Sequence, residues 1–452
     1  MTSFPGVSGL NQSLNLAAKQ RDVRLDFMKR SNRSFFLAAI LMMLSGRVEA
    51  QKALTWDEVR ARFEAGNPTL GAGQVGIEES KASEVTAFLR PNPQLSVNYD
   101  QIGNTASGNA FSASNLTTAV SYLHERQHKR ELRRDSAAKA TGIAVSNQSD
   151  LERNLVFTLR TAFIGTLEAK EVVRVATDNL KYWDRVLKIS HDRFDVGSIA
   201  QIDLDRLELQ RAQYESDVQN AEVNLRTSKI ELLMLLNDRT PVHEFDVLGL
   251  YEYNDHLSSL DDFRKIALDA RPDLKAALQT VDKAKTDHEL AMSNGSTDPT
   301  ISIDAGFPTV SEAYLGYQPA LREYVGAGVT IPLRMFDRNQ GEKLRTQLEI
   351  DRTQKLQAAQ LAQVYSDVDS AYATVESNLI LLRPYKDKYL KQSERVRDTI
   401  RFSYEHGAAS LLELLNAESE YRSLELSYVN LVGAYLTAAA QLNMAVGREV
   451  IQ

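Results

Sequence analysis

The chain has 452 residues, of which 43% are hydrophobic and 25% are charged, so it can bury a core and hold two or three domains. It carries 53 Lys and Arg against 60 Asp and Glu, and this net charge of −7 argues against a nucleic-acid-binding protein, which needs a basic face. The absence of cysteine excludes disulfides, thiolate metal sites, cysteine nucleophiles and an acylated N-terminal cysteine as a membrane anchor.

Residues 28–50 have the composition of an export signal. Three basic residues within 29–33 precede an apolar run at 35–44, and a small-x-small cleavage site follows at 48–50. The apolar run is about half the length of roughly 20 residues that a membrane-spanning helix needs. We therefore expect this segment to be removed after export rather than kept as a membrane anchor.

The mature chain is predicted to begin at Gln51. Residues 1–27 have no periodic pattern, and we interpret them as a dispensable or wrongly assigned extension before a true start at Met28. Residues 1–50 have a net charge of +4, so the mature chain carries −11. No other stretch matches a transmembrane helix in length and apolarity. Any membrane span of the mature chain is therefore expected to be made of β-strands, since only helices and closed barrels satisfy their backbone groups in lipid.

The mature chain consists of two similar halves. Motifs in residues 51–240 return in residues 258–447, the two halves are joined by a linker at 241–257, and residues 448–452 form a tail. Two halves with matching motifs are predicted to share one architecture. The matching pairs include Asn67-Pro68 with Arg271-Pro272, Thr161-Ala162-Phe163 with Ser370-Ala371-Tyr372, and Phe194-Asp195-Val196-Gly197 with Tyr404-Glu405-His406-Gly407.

Each half carries a predicted strand hairpin, within residues 94–123 and 300–333. Apolar and polar residues alternate in these segments, as they do at Leu95, Val97 and Tyr99. Each strand has about nine residues, the length of a tilted strand that crosses a bilayer. A soluble, half-buried hairpin has the same pattern, so the flanking segments must decide between these readings.

The flanking segments are predicted to be long helices. Apolar residues recur at steps of three and four through 159–187, 204–235 and 414–445, a pattern typical of knobs-into-holes packing between antiparallel helices. A single helix over Glu131–Asp195 would span about 100 Å, which is longer than a globular core requires. Pro384 lies inside the equivalent helix of the second half and is expected to kink it.

A short turn separates the paired long helices in each half. Gly197 in the first turn and Gly407 in the second are expected to adopt positive φ and to end the preceding helix. Ser198 and Ser410 are the predicted caps of the helices that follow.

At these turns the chain resembles the TolC family of outer-membrane efflux proteins. The segment Arg193-Phe194-Asp195-Val196-Gly197-Ser198-Ile199-Ala200 is similar to the helix-hairpin tip of that family, an Arg-Phe/Tyr-x-x-Gly pattern. Residues 403–410 form a second copy, although Ser403 stands where an arginine is common. The resemblance covers residues 51–447.

The resemblance implies a mainly α fold with a membrane β-barrel. Long antiparallel coiled-coil helices would form a periplasmic tunnel, and four strands per chain would complete a 12-strand barrel in the outer membrane as a homotrimer. Most of the chain would lie in the periplasm. The helices before each hairpin and residues 237–262 would form a mixed belt around the tunnel, and the loops at 103–114 and 308–323 would face the cell exterior.

The implied function is a passive exit duct, without catalysis or cofactor, in a tripartite system that exports drugs, solvents or metal ions. Its partners would be a periplasmic adaptor protein, an inner-membrane pump of the resistance-nodulation-division or ABC type, and outer-membrane lipid. The alternatives are the outer-membrane component of a type I protein secretion system, a periplasmic adaptor, and a structural coiled-coil trimer. An enzyme is disfavoured because the sequence has no Gly-rich phosphate loop, HExxH or Gly-x-Ser-x-Gly motif.

The resemblance also places two kinds of site. Adaptor docking would involve the two helix-hairpin tips, although the aromatic residues there could instead only pack the turn. The docking residues would be Arg193, Phe194, Val196, Gly197, Ser198, Tyr404, Gly407 and Ala408. The aperture of the tunnel would be lined by Asp203, Glu413 and Asn416.

In a trimer, three Glu413 carboxylates would meet in a narrow lumen, where their mutual repulsion would raise their pKa and favour cations. Glu413 could equally be a solvated surface charge. Asn416 departs from the acidic pattern of the family and would weaken this ring. Ala409 stands where an arginine can hold the closed state, so that latch is not expected here.

Four histidines are candidate metal ligands. His124 and His128 are spaced for one face of a helix, and His191 and His406 lie near the two tips. Two histidines without a third ligand are insufficient for a metal site, so none is predicted.

Overall fold

The computed structural model describes residues 53–100, 115–308 and 323–451. The export signal and most of the two loops predicted to face the cell exterior lie outside these residues. A small unit includes residues 53–54 and His243–Asp246, and the amide of Leu54 there donates to the carbonyl of Asp246 over 3.0 Å. The features below belong to the large unit, which comprises Thr55–Val242 and the chain from Val247 onward.

The two halves have the same order of elements. In the first half these are α1 (Trp56–Gly66), α2 (Pro68–Phe88), β1 (Gln94–Asp100), β2 (Asn115–Leu123), α3 (Lys129–Asp195) and α4 (Gln201–Leu235). In the second half they are α5 (Leu260–Ala270), α6 (Pro272–Asn294), β3 (Thr300–Pro308), β4 (Tyr324–Thr330), α7 (Gln340–Pro384), α8 (Leu390–Glu405) and α9 (Leu411–Val446). The described part of the linker between the halves contains one 3₁₀ turn, Val242–Glu244, and no sheet of its own.

The first helix of each half begins at a hydroxyl cap. Thr55 caps α1 in a capping box with Glu58, and Ser259 caps α5 by accepting from the amide of Asp262. The next helix starts with a proline in both halves, where the missing N–H leaves no donor unsatisfied. Local sequence therefore sets the same helix boundaries in both halves.

Helix α3 is continuous over 67 residues, as predicted, and is therefore about 100 Å long. It packs against α2, α4, α6 and α9. Because α3 begins shortly after β2 and ends at the turn that contains Gly197, the turn lies about 100 Å from the sheet. The corresponding helix of the second half is interrupted, as Pro384 predicted, by a π-helical turn at Tyr385–Tyr389.

The four strands form one antiparallel sheet in the order β1-β2-β3-β4. Both predicted hairpins are confirmed. The sequence did not predict that β2 of the first hairpin pairs directly with β3 of the second, from Asn115 opposite Pro308 to Leu123 opposite Thr300. The edge strands β1 and β4 each pair on one side only within the described chain.

In the described part of the chain, apolar clusters of buried residues join the helices. The larger joins α5, α7 and α9 and includes Phe263, Val368, Leu382, Tyr435 and Leu442. The smaller lies near the tips, where α3, α4, α8 and α9 meet, and includes Trp183, Leu207, Tyr214, Tyr404, Leu411 and Leu414. Trp183 is fully buried, and its indole N–H donates to the carbonyl of Leu207 over 3.0 Å.

The predicted apolar seams are confirmed in α4 and α9 and only in part in α3. Leu204, Leu207 and Tyr214 are buried in α4, as predicted. In α3 Leu159 and Trp183 of the predicted seam are buried, and Phe163 and Val175, which lie beside that seam, are buried as well.

Helix α9 also corrects the expectation that no further stretch resembles a transmembrane helix. By length and composition alone it could cross a membrane. More than half of its most apolar window is buried against other parts of the protein. The buried cluster around Tyr435 and Leu442 explains this composition, since α9 is a core helix of the bundle.

A buried ion network joins α6, α7 and α9 in the second half. The guanidinium of Arg271, only 3% exposed, donates to Asp273, to Asp367 over 2.9 Å and to the carbonyl of Ala445 over 3.2 Å. Burial alone would raise the pKa of Asp273, but bonds and charge from Arg271 and Arg153 lower it overall. The network therefore holds an ionised carboxylate inside the protein.

Candidate functional site

The two faces of the sheet differ in polarity across all four strands. Leu95 stands opposite Val120, which stands opposite Ile303, which stands opposite Ala327. These side chains lie on one face, and Ile303 is 62% exposed on it. An exposed apolar face across a four-stranded sheet requires a cover in the assembled protein, because contact between apolar surface and water is unfavourable.

The opposite face is polar. Neighbouring rows of the register contain small and polar residues, and Asp304 occupies the middle of one row. These rows are Gln94, Ser121, Ser302 and Gly328, and then Ser96, Ala119, Asp304 and Gly326. The alternation predicted for single strands is therefore in register over the whole sheet, which is the arrangement of a sheet between lipid and water.

The two tips have the same backbone geometry. Gly197 has φ +73° and its amide donates to the carbonyl of Phe194 over 2.8 Å. Gly407 has φ +77° and its amide donates to the carbonyl of Tyr404 over 3.0 Å. Both glycines end their helices in the left-handed conformation, as the sequence predicted.

One of the two predicted helix caps is confirmed and the other is wrong. Ser410 caps α9 in a capping box, because its hydroxyl accepts from the amide of Glu413 and the Glu413 carboxylate accepts from the amide of Ser410. Ser198 does not cap α4, since its amide closes the preceding turn by donating to the carbonyl of Arg193. The cap position of α4 falls on Ala200, which has no side-chain acceptor.

Arg193 connects the first tip to the second. Its guanidinium donates to the backbone carbonyl of Tyr404 over 3.0 Å and lies 5.0 Å from the centre of the Tyr404 ring. Charged hydrogen bonds and cation–π contacts of this kind stabilise a contact by about 1–3 kcal/mol. The two helical hairpins of one chain are thus joined at their ends.

The predicted docking residues divide into exposed and buried ones. Val196 is 76% exposed, and Gly197, Ser198, Gly407 and Ala408 are also exposed. Phe194 is half-buried, and Tyr404 is only 7% exposed, so its ring packs the tip core as the alternative reading held. Tyr404 can act on a partner only through the shape of the turn that it supports.

Other exposed apolar residues flank the tips and were missed by the sequence analysis. Phe402 is 61% exposed and stacks on His406 with ring centres 4.1 Å apart. Ile202 and Leu412 occupy equivalent positions in the first turns of α4 and α9, and both are exposed. The exposure of Ile202 and Leu412 could have been predicted from the sequence, because each is an apolar residue outside the 4-3 seam.

The predicted aperture residues follow the tips. Asp203 and Glu413 are equivalent positions in the first turns of α4 and α9, where a carboxylate is favoured by the helix dipole. Glu413 and Asn416 are exposed, and Asp203 is half-buried. Hydrogen bonds from Ser410 lower the pKa of Glu413, which is opposite in sign to the rise expected from repulsion within a trimer.

A buried carboxyl group that the sequence pattern does not indicate lies two turns beyond the second tip. Glu418 on α9 is 4% exposed, and the hydroxyl of Tyr182 on α3 is its polar neighbour. Arg397 and Arg401 of α8 are the nearby cations. Burial raises the pKa of Glu418, although Tyr182 and the two arginines oppose the rise.

We predict that Glu418 makes stability fall as the pH rises. Because the folded state binds this proton more tightly than the unfolded state, stability is lost from the ordinary carboxyl pKa, about 4.3, up to the raised value. Glu418→Gln should remove this loss and melt at or above the wild-type temperature near pH 7.5. Thermal melts followed by circular dichroism across this interval measure it.

The matched control is Glu420→Gln, which changes an exposed carboxyl group on the same helix. Its melting curve should follow that of the wild type at every pH. A Glu418→Gln variant that retains the full pH dependence would assign the effect to other groups.

The histidine pair does not share a helix. His124 precedes α3, and His128 sits at the N-terminal boundary of that helix with φ 56°. The expectation that the two lie on one helix face is therefore wrong, because the helix starts after both. Within the described ranges, no group of three or more His, Asp or Glu side chains could hold a metal ion.

The sequence matches known efflux proteins. The family described as outer membrane efflux protein matches residues 264–448. The cobalt-zinc-cadmium resistance protein CzcC of Cupriavidus metallidurans is 20% identical over 405 residues, covering 88% of this chain and 91% of that protein. The pyoverdine export outer membrane protein OpmQ of Pseudomonas aeruginosa is 21% identical over 438 residues, covering 90% and 89%.

The fold matches solved outer-membrane channels. CusC has a TM-score of 0.72 at 16% identity and covers 89% of this chain and 93% of its own. The open state of MtrE from Neisseria gonorrhoeae has a TM-score of 0.69 at 17% identity, covering 87% and 89%. VceC from Vibrio cholerae has a TM-score of 0.69 at 14% identity, covering 87% and 96%.

Proposed function

We propose that this chain is an outer membrane efflux protein of the TolC family and works as a trimeric, passive exit duct of a tripartite efflux system. The observation that carries the proposal is the sheet, which has one apolar face across four strands and two edges that are unpaired within the described chain. A closed bacterial barrel has at least eight strands, so one sheet cannot close by itself. Three sheets joined edge to edge would provide a closed wall.

Transport through such a duct needs no catalytic residue. The polar face of the sheet would line the lumen, with Asp304 near its middle, and the apolar face would contact lipid. The long helices α3, α4, α7, α8 and α9 would continue the lumen into the periplasm. An inner-membrane pump would supply the energy and most of the selectivity.

The tips are the proposed adaptor-docking surface. Two turns with the same left-handed glycine present exposed backbone and the exposed Val196, and the exposed Phe402 lies beside the second turn. A helical hairpin of the adaptor would fit against these ends. The aperture would lie just inside, at Asp203, Glu413 and Asn416, and the bond between Arg193 and Tyr404 would keep the two hairpins of one subunit together.

The function is tested by reconstitution of the purified mature protein. We expect heat-modifiable trimers in the outer-membrane fraction and stepwise ion conductance in planar bilayers. A water-soluble monomer that never conducts would overturn the proposal. For substrates, the deletion strain should be tested against cobalt, zinc, cadmium, drugs and solvents, because CzcC is named for metal resistance and OpmQ for pyoverdine export.

We predict that Gly197→Pro uncouples the duct from its adaptor and leaves trimers in the membrane. Proline fixes φ near −65° and has no N–H, whereas Gly197 has φ +73° and donates to Phe194. The first tip must therefore rearrange, while the sheet about 100 Å away is unaffected. Cross-linking to the adaptor and toxicant resistance should both fall by at least about tenfold, the effect of losing roughly 1.4 kcal/mol.

Gly165→Ala is the matched control. Gly165 lies within α3, and an added Cβ would have open space around it, so this variant should keep full cross-linking and resistance. Normal adaptor cross-linking in Gly197→Pro would remove the tips from the docking surface.

A further inference from the structure

A cavity of about 270 Å³ lies between α1, α3, α9 and the C-terminal tail, away from both tips and the sheet. Its walls include the aromatic side chains of Trp56 and Phe157 and the flexible side chain of Met444. Arg160 and Arg448 also face it. Arg160 is 35 residues from the end of α3, or roughly 50 Å along the helix, so the cavity is separate from the proposed docking surface.

Arg160 is held on an aromatic platform without a counter-ion. Its guanidinium lies 4.4 Å from the centre of the Trp56 ring and 5.9 Å from that of Phe163. The side chain is half-buried, and the described residues provide it with no hydrogen bond and no ion pair. Burial lowers the pKa of Arg160, although Glu449 and Asp57 act in the opposite direction from a distance. A planar cation in this position has unused donors.

The other charges around the cavity are mostly engaged. Glu449 accepts from the indole N–H of Trp56 over 3.2 Å and pairs with Arg60 at 3.6 Å. Arg153 donates to Asp150 and to the carbonyl of Met444.

Two further charged residues line the cavity. Glu152 lies two turns before Arg160 on α3, about 12 Å along the helix, and its charge acts on Arg60. Arg448 is exposed and has no partner within the described part of the chain. The free charge of the cavity is therefore positive on balance.

We propose that this cavity binds a small aromatic carboxylate. The carboxylate would take two N–H donors of Arg160, since guanidinium and carboxylate groups match in a planar, bidentate geometry. The ring would lie against Phe157 and Met444. The volume suits a ligand of one ring and excludes a lipid with two acyl chains. The proposal does not depend on the proposed efflux function, because it rests on contacts within one chain.

The binding test uses the full chain in detergent and equilibrium dialysis with radiolabelled benzoate. We expect saturable binding at one site per chain. Unlabelled competitors show which part of the ligand the site recognises. Unlabelled benzoate should displace the label. Benzamide tests the need for the carboxylate charge, inorganic phosphate tests the need for the ring, and laurate tests whether a fatty acid binds instead. Equal displacement by benzamide, phosphate or laurate would contradict the proposal, as would the absence of saturable binding.

Variants locate the site. Arg160→Met should weaken benzoate binding by at least about tenfold, since hydrogen bonds to a charged group contribute about 1.5–3 kcal/mol. Arg160→Lys keeps the positive charge but loses the planar, bidentate donors of the guanidinium. Its affinity for benzoate should lie between those of the wild type and Arg160→Met. Val156→Phe fills the cavity without changing its charge and should also abolish binding.

The matched control is Arg174→Met, which removes an exposed arginine of the same helix that pairs with Glu171. It should bind as the wild type does. If Arg160→Met and Val156→Phe both bind benzoate normally while keeping the wild-type melting temperature, the cavity is not the site. A channel that conducts but does not bind benzoate would overturn this inference alone and leave the duct intact.

Discussion

Replacing Ile303 by arginine is expected to remove most of the protein from the outer membrane. Ile303 lies in the middle of β3 on the apolar face, between Val120 and Ala327 of the neighbouring strands. An arginine on the lipid face of a barrel costs about 2–4 kcal/mol near the bilayer midplane. A trimer would carry this cost three times, so assembly should fall by several orders of magnitude.

The measurement is the amount of heat-modifiable trimer in the outer-membrane fraction. The control variant, Ser302→Arg, introduces the same side chain one residue earlier, on the polar face between Ser121 and Gly328. It should assemble at close to the wild-type level, because an arginine there would meet water. If Ser302→Arg is as harmful as Ile303→Arg, the two faces do not separate lipid from water.

Replacing Arg271 by leucine is expected to destabilise the helical part by about 3–5 kcal/mol, because it leaves Asp273 and Asp367 without their buried partner. The hydrogen bond to the carbonyl of Ala445 is lost as well. Chemical unfolding in detergent, followed by circular dichroism, measures the shift of the midpoint. The effect should shrink at low pH, where protonated Asp273 no longer needs a cation, because a lowered pKa gives stability that is lost as the pH falls through it.

The duplication supplies a control for Arg271. Asn67 is the equivalent residue of the first half, where it accepts from the amides of Thr69 and Leu70 and donates to the carbonyl of Leu235. Asn67→Ala removes a cap and should cost about 1 kcal/mol. Equal costs for the two replacements would mean that the ion network contributes nothing beyond a cap.

The helices and strands were predictable because each is set by a local pattern. Alternation at Leu95, Val97 and Tyr99 defines one face of a strand without reference to any other strand. The left-handed glycine at 197 was predictable for the same reason, since a turn between two long helices needs positive φ. The seam of α3 was predictable only in part, since Phe163 and Val175 are buried beside the 4-3 pattern that Leu159 and Trp183 follow.

The contacts around the tips were not predictable, because they depend on how distant segments pack. Arg193 and Tyr404 are 211 positions apart, and no spacing rule connects them. Glu418 stands next to an apolar seam and reads as an ordinary surface charge, yet α3 and α8 enclose it. The predicted cap at Ser198 is wrong because the amide of Ser198 makes the hydrogen bond that closes the turn. This bond cannot be predicted from composition.

The π-helical turn at Tyr385–Tyr389 explains how the tips of two halves that differ in length can contact each other. Thr161 and Ser370 correspond at a distance of 209 positions, whereas Gly197 and Gly407 correspond at 210, so the second half contains one inserted residue between these points. A widened turn absorbs a single insertion without rotating the rest of the helix away from its neighbours. The insertion therefore stays local, and Tyr404 still arrives where Arg193 can reach it.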